Sequence, residues 1–159
     1  MTAPTRDLVE RLARRFRELE VRVAVAESLT SGRIASALGA GSDASEWFAG
    51  GIVAYASDVK FELLGVEPGP VINPACARQL AQGAAKLLDA HLSIGVTGCG
   101  GPNPEEGQPP GTVFIATQFE GAYVNRAFEF DGPPDRVLEQ TTRQALVLLD
   151  EATNSIPTD

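Results

Sequence analysis

The chain has 159 residues, room for one domain with a buried core and too little for two comfortable ones. Charged residues make up 21% and hydrophobic residues 43%, no apolar run approaches a membrane span, and the first residues lack a signal-peptide core. A cytoplasmic protein with no membrane partner is expected, and the formal net charge of -8 argues against a nucleic-acid partner, which needs a basic excess against phosphates.

Thr5 to Glu20 has helical spacing, with Leu8, Leu12, Phe16 and Leu19 as its apolar stripe and Arg11, Arg14, Arg15 and Arg17 on a solvated, charge-paired face. Val21 to Ala26 alternates as a strand, with Val21, Val23 and Val25 on one face. Ser31 to Leu38 reads as a short helix ended by Gly39 and Gly41, and Asp43 to Phe48 as another, capped by Ser42. Gly50 to Ala56 is a second strand, followed by a helix from Ser57 to Leu64 that Gly65 stops. Asn73 caps a longer helix, Pro74 to Ala90. Leu92 to Thr97 is a third strand that opens into a glycine- and proline-rich loop, Gly98 to Pro110. GTVFIATQF and AYVNRAFEF form a hairpin about Glu120-Gly121, and Asp135 to Ala152 is the last helix. Helices between the early strands call for a parallel arrangement, and the late hairpin forces one strand antiparallel. The expected fold is α/β, a three-layer α/β/α domain over residues 1–159 (core 5–152) with a mixed five-stranded sheet.

Open α/β sheets bind ligands beyond the carboxyl ends of their parallel strands, and three such ends here carry unusual residues: AESLTSG, YASDVK and TGCGGP. In the first, Ser28 is either a helix cap or a nucleophile. Backbone N–H groups of Thr30-Ser31-Gly32 stand ready for an oxyanion or phosphate. Thr30 or Ser31 can serve as the cap, which leaves Ser28 without a structural task. Glu27 is a surface carboxylate or an orienting acceptor. Lys60 falls in the first turn of its helix, where the dipole favours the neutral amine, but by only about 0.3–1 kcal/mol. A general base at neutral pH needs burial or a neighbouring cation besides. Tyr55, expected to point inward at its strand end, could relay a proton or bind substrate. Thr97, Gly98, Gly100 and Gly101 offer a hydroxyl and close backbone approach. Cys99 is a rival nucleophile without a paired base, because the single histidine, His91, is read with Cys76 and Trp47 as a packing or element-end residue. Cys76 and Cys99 lack metal-type spacing, so no metal site is expected.

Taken together, AESLTSG, WFAGGIVAYASDVKFELLGV, VTGCGGP and PPGTVFIAT resemble, in order and spacing, the CinA C-terminal domain family of nicotinamide-nucleotide amidases, also described as competence/damage-inducible protein domains. The resemblance runs from Leu8 to Leu149 and is to a stand-alone form without the N-terminal domain of longer members. It implies conversion of nicotinamide mononucleotide to nicotinic acid mononucleotide and ammonia, with no cofactor and with a homodimer in keeping with the family. Ser28 matches the nucleophile, Lys60 the base and Tyr55 the supporting hydroxyl. Glu27, Thr30, Ser31, Gly32, Gly51, Thr97, Gly98, Gly100 and Gly101 would surround the substrate. Leu29 and Ser31 replace the family's Cys and first Gly, and Ala56, Ser57 and Asp58 alter its Tyr-Ser-Asn-x-x-Lys. Prolines replace its late Asp-Arg pair if Gly132 is aligned, leaving Arg136 or Arg143 to take the substrate phosphate. The competing expectation is a non-catalytic ligand-binding module on the same fold.

Overall fold

A computed structural model describes residues 1–159. Helix α1 spans Ala3–Glu18 and buries Leu8, Leu12 and Phe16; Pro4 in its first turn and the Thr2 hydroxyl, which accepts from the Thr5 N–H, start it. Its arginines pair beyond the helix as well as along it. Arg11 forks onto Asp150, with Nε–Oδ1 at 3.2 Å and Nη2–Oδ2 at 2.7 Å, and Arg17 meets Asp43, whereas Arg15 pairs within the helix with Glu18.

The strands are β1 (Val23–Glu27), β2 (Phe48–Val53), β3 (Leu92–Gly98), β4 (Thr112–Phe119) and β5 (Ala122–Glu129). They form one sheet in the order β2-β1-β3-β4-β5. β1 pairs parallel with β2 and β3, while β4 runs antiparallel to both β3 and β5, so β4 is the one reversed strand that the hairpin required. Glu120 and Gly121, at φ 48° and 88°, make the left-handed turn that matches the strand twist.

Alternation along the strands assigns the layers. Val23, Val25, Ile94, Val96 and Ile115 face one side, against α1, α2 (Arg33–Gly39) and α6 (Pro134–Asn154). Ala24 and Ala26 face the other, against α4 (Ser57–Leu64) and α5 (Pro74–Leu88). Small residues on this second face bring α5 close: Gly95 has no Cβ to meet the Ala77 carbonyl oxygen, and Ser93 Oγ donates to Ala81 O at 2.7 Å. The three-layer α/β/α architecture follows from this division.

Several boundaries differ from the sequence expectation, and each has a local cause. β2 starts at Phe48 and stops at Val53, because its partner ends at the Glu27–Val53 pair and the last bond is Ala54 N–H to Glu27 O. The short helix α3 is therefore only Ala44–Trp47. Ser42 does not cap it. Its hydroxyl donates to Glu10 Oε2 at 2.6 Å, and Asp43 holds the cap position in the left-handed region. β1 starts at Val23 because Val21 N–H still bonds to Phe16 O at the end of α1.

Gly51 lies on β2 where α2 crosses it. A Cβ there would sit 2.7 Å from Ala35 Cβ and 2.9 Å from Val25 Cγ1. Gly51→Ala is expected to lower unfolding free energy by about 1–3 kcal/mol, through overpacking, as read from denaturant midpoints.

Candidate functional site

The carboxyl ends of β1, β2 and β3 meet at a cleft of about 290 Å³. Ser28 enters it from the turn after β1, Tyr55 and Lys60 from the β2–α4 segment, and Thr97, Gly98, Gly100 and Gly101 from the end of β3 and its loop. The fourth wall is the start of α6, with Pro134 and Leu138. All three catalytic candidates therefore share one cavity.

Ser28 is 8% exposed and starts a compact turn, in which the Ser31 N–H donates to Ser28 O at 3.1 Å. Neither Thr30 nor Ser31 caps α2. The cap position is Gly32, at φ 99°, with no side-chain bond; Ser31 Oγ reaches only Leu29 O, and the buried Thr30 hydroxyl has no partner in the chain. The cap comes from Glu27 instead. Its carboxylate is fully buried and accepts the Ile34 and Ala35 N–H groups, each at 2.9 Å. It thereby satisfies two of the orphan donors of the first turn and places negative charge at the positive end of the helix. Glu27 is neither a surface carboxylate nor a cleft residue; it holds the turn that presents Ser28.

Lys60 is only 2% exposed and donates from Nζ to Tyr55 O at 3.0 Å. Burial lowers its pKa below the ordinary lysine value, against opposing pulls from Cys76, Glu106 and Glu105. Its neutral form can spend one N–H on Tyr55 O and keep its lone pair for a proton. Helix α4 has Ala56 at its cap position with no side-chain bond, and Asp58 accepts only the N–H of Val59. The first-turn dipole thus adds to burial in disfavouring charge on Lys60. Cys76, on α5, lies beside it as a buried thiol that burial pushes up to about 11, with Lys60 and Thr97 pulling the other way.

Tyr55 is 69% exposed rather than inward, since β2 ends before it and no sheet face constrains its ring. Its carbonyl anchors Lys60 while its side chain stands at the cleft mouth. Thr97 Oγ1 donates to Val71 O at 2.7 Å, which fixes the opposite wall. Cys99 is fully buried, and its Sγ donates to Asn103 O.

Not every candidate reaches the cleft. Gly51 is a packing position, and Arg136, turned to Glu139 at 2.9 Å, lies outside the cavity. Arg143 lines a separate groove of about 730 Å³ between α1, α2 and α6, together with Arg33, Ser31 and Gly32. On a helix of 3.6 residues per turn, positions 136 and 143 share a face roughly half a turn from 134 and 138, so both arginines point away from Ser28. The loop contributes residues that no motif singled out. Glu105 lines the cleft, and Glu106 accepts from the Val71 and Ile72 N–H groups at 2.7 and 2.8 Å, tying the loop to the α4–α5 connection. Two adjacent carboxylates among prolines and glycines were the available signal.

This is an α/β domain whose only buried lysine lines the same cleft as a serine at a parallel-strand edge. The family model for the CinA C-terminal domain matches residues 5–153, and the chain belongs to that family. It is 34% identical over 149 residues to protein YdeJ of Escherichia coli K12, covering 90% of this chain and 87% of the relative. It is 36% identical over 143 residues to a CinA-like protein of Geobacter metallireducens and 37% over 130 residues to a Bacillus velezensis relative. The chain spans only 34% and 31% of their lengths. The crystal structure of a CinA superfamily protein from Klebsiella pneumoniae superposes with a TM-score of 0.92 at 30% identity, covering 96% and 99% of the two chains. No helix is long and apolar enough to cross a membrane.

Two stability outcomes follow from this geometry. Glu27→Ala leaves two N–H groups of α2 without their charged acceptor, for an expected loss of about 2–3 kcal/mol in denaturant unfolding. Lys60→Met keeps the volume and removes the buried amine, so the variant is expected to be more stable than wild type at pH 7. The unfolded chain holds the Lys60 proton up to about pH 10.4, whereas the folded chain gives it up earlier. The advantage of Lys60→Met therefore shrinks as pH rises through the lowered folded pKa toward that value, as midpoints at pH 7 and pH 10 would show.

Proposed function

We propose that the protein is a serine carboxamide hydrolase that releases ammonia from a pyridine-3-carboxamide, with nicotinamide mononucleotide, converted to nicotinic acid mononucleotide, as the substrate implied by the family resemblance. The observation that carries this reading is the buried Lys60, its pKa lowered, in the same cleft as Ser28. Neutral Lys60 takes the Ser28 hydroxyl proton as Oγ bonds to the carboxamide carbon. The oxyanion that forms is met by the N–H groups of Gly100 and Gly101, which bond to nothing within the chain. Lys60 returns its proton to the departing nitrogen, ammonia leaves, and an ester on Ser28 remains. Water, giving a proton to Lys60, then attacks the ester; the acid is released and Ser28 regains its proton. Tyr55 serves through its carbonyl, which orients Lys60, and through its hydroxyl at the mouth, which faces the substrate.

The absence of Arg136 and Arg143 from the cleft favours a second reading, a ligand-binding module without turnover. Ammonia release from pyridine carboxamides separates the two. Ser28→Ala is expected to lower kcat/KM by about a thousandfold or more, and Lys60→Met by about 10²–10⁴-fold. Tyr55→Phe, which keeps the carbonyl, is expected to cost about tenfold at most. Activity that survives Ser28→Ala rules out the nucleophile assignment, and no release by folded wild-type protein favours the module.

A further inference from the structure

One wall of the cleft is apolar and takes no part in the proton transfers. Leu29 comes from the turn that presents Ser28, and Pro134 and Leu138 come from the first two turns of α6. Leu29 belongs to the large core cluster and Leu138 packs against it, so the wall is held from behind. The two leucine side chains meet over Gly100. A Cβ on Gly100 would stand 3.9 Å from Leu138 Cδ2 and 3.9 Å from Leu29 Cδ1, in ordinary contact with both. Glycine leaves that space open. The opposite character prevails where the strand ends and α4 contribute: the hydroxyls of Ser28, Tyr55, Ser57 and Thr97 line the cleft. At the start of α4 the Ser57 and Asp58 N–H groups have no acceptor in the chain, while that of Val59 goes to the Asp58 carboxylate. Hydroxyls and free donors suit the sugar and phosphate of a nucleotide, and hydrocarbon suits the face of its ring.

We infer that Leu29 and Leu138 are specificity-determining residues, an apolar wall on which the flat face of the substrate's ring lies. The inference rests on the Ser28–Lys60 hydrolase reading for the place of the carboxamide and on the wall itself for the ring. A carboxamide oxygen at the free Gly100 N–H brings the attached ring within reach of the leucine ends that meet over the same residue. A flat ring laid there removes apolar area from water on both sides, which a small aliphatic amide does to a much lesser extent. Leu29 also stands where the resembled motif has cysteine, so this chain has the more extensive wall.

Calorimetric titration of Ser28→Ala protein, which binds without turnover, compares nicotinamide mononucleotide with ribose 5-phosphate, which lacks the ring. Adding Leu138→Asn, which keeps the size of the side chain but makes it polar, is expected to weaken the mononucleotide about tenfold or more and the sugar phosphate less than about twofold. Leu138→Met, apolar and of similar volume, is expected to stay within about threefold of the parent for both ligands. Gly100→Ala, whose methyl covers the leucine ends, is expected to weaken the mononucleotide about tenfold with both leucines intact. Mononucleotide affinity held within about twofold in Leu138→Asn overturns the inference, and so does an equal loss of both ligands, the mark of a general distortion. Failure of the mononucleotide to bind the Ser28→Ala parent overturns it as well. Ribose 5-phosphate too weak to measure in every protein, beside the expected mononucleotide loss, upholds it, because the affinity then resides in the ring. Ring-dependent binding with no ammonia release by wild type upholds the wall and overturns the hydrolase reading instead.

Discussion

The contact between the Glu27 carboxylate and the first turn of α2 fixes the geometry of the site. Glu27 ends β1, and its oxygens accept from Ile34 and Ala35, so the segment from Ser28 to Gly32 is pinned at both ends. A carboxylate withdrawn from water costs several kcal/mol unless its lone pairs are occupied. Two N–H groups and the helix dipole offset that cost here. The outcome is a turn rigid enough to leave Ser28 at the cleft without a structural task of its own. Ser31, at φ 50°, adopts the left-handed backbone that glycine takes without penalty, a strain this clamp must carry.

Lys60 works in the opposite direction. Its burial, at the start of α4 and beside the uncharged Cys76 thiol, disfavours the charged amine at a cost to the fold, which suits the base proposed above. The loop after β3 completes this environment from the far side. Glu106 ties that loop to the α4–α5 connection, and the same tie carries Gly100, Gly101 and Glu105 to the cleft. One segment therefore carries to the cleft both the unpartnered N–H groups of Gly100 and Gly101 and the carboxylate of Glu105.

Most of the fold is legible in the sequence because it rests on local periodicity: alternating valines in β1, the Glu120-Gly121 turn, and Asn73-Pro74 at the start of α5. The convergence of Ser28, Lys60 and Thr97 is legible too, since parallel strands must end at one edge. What escaped depends on partners distant in the chain. The end of β2 is set by where β1 stops, and the cap of α2 comes from seven residues upstream rather than from an adjacent hydroxyl. Tyr55 turns outward because the strand ends before it reaches that position. The arginines of α6 are a different case. Their phase relative to Pro134 and Leu138 is implicit in the helical repeat, but which face meets the cleft is decided only when the helix docks.

The central claim is that Ser28, activated by a neutral buried Lys60, carries the acyl group. Mass spectrometry of the intact protein, acid-quenched during turnover of a pyridinium carboxamide and followed by peptide mapping, tests it directly. The account predicts a transient adduct with the mass of the substrate acyl group on the peptide containing Ser28, absent in Lys60→Met. An adduct on Cys99 instead, or ammonia release at full rate with no adduct on Ser28 in the quenched protein, would contradict it.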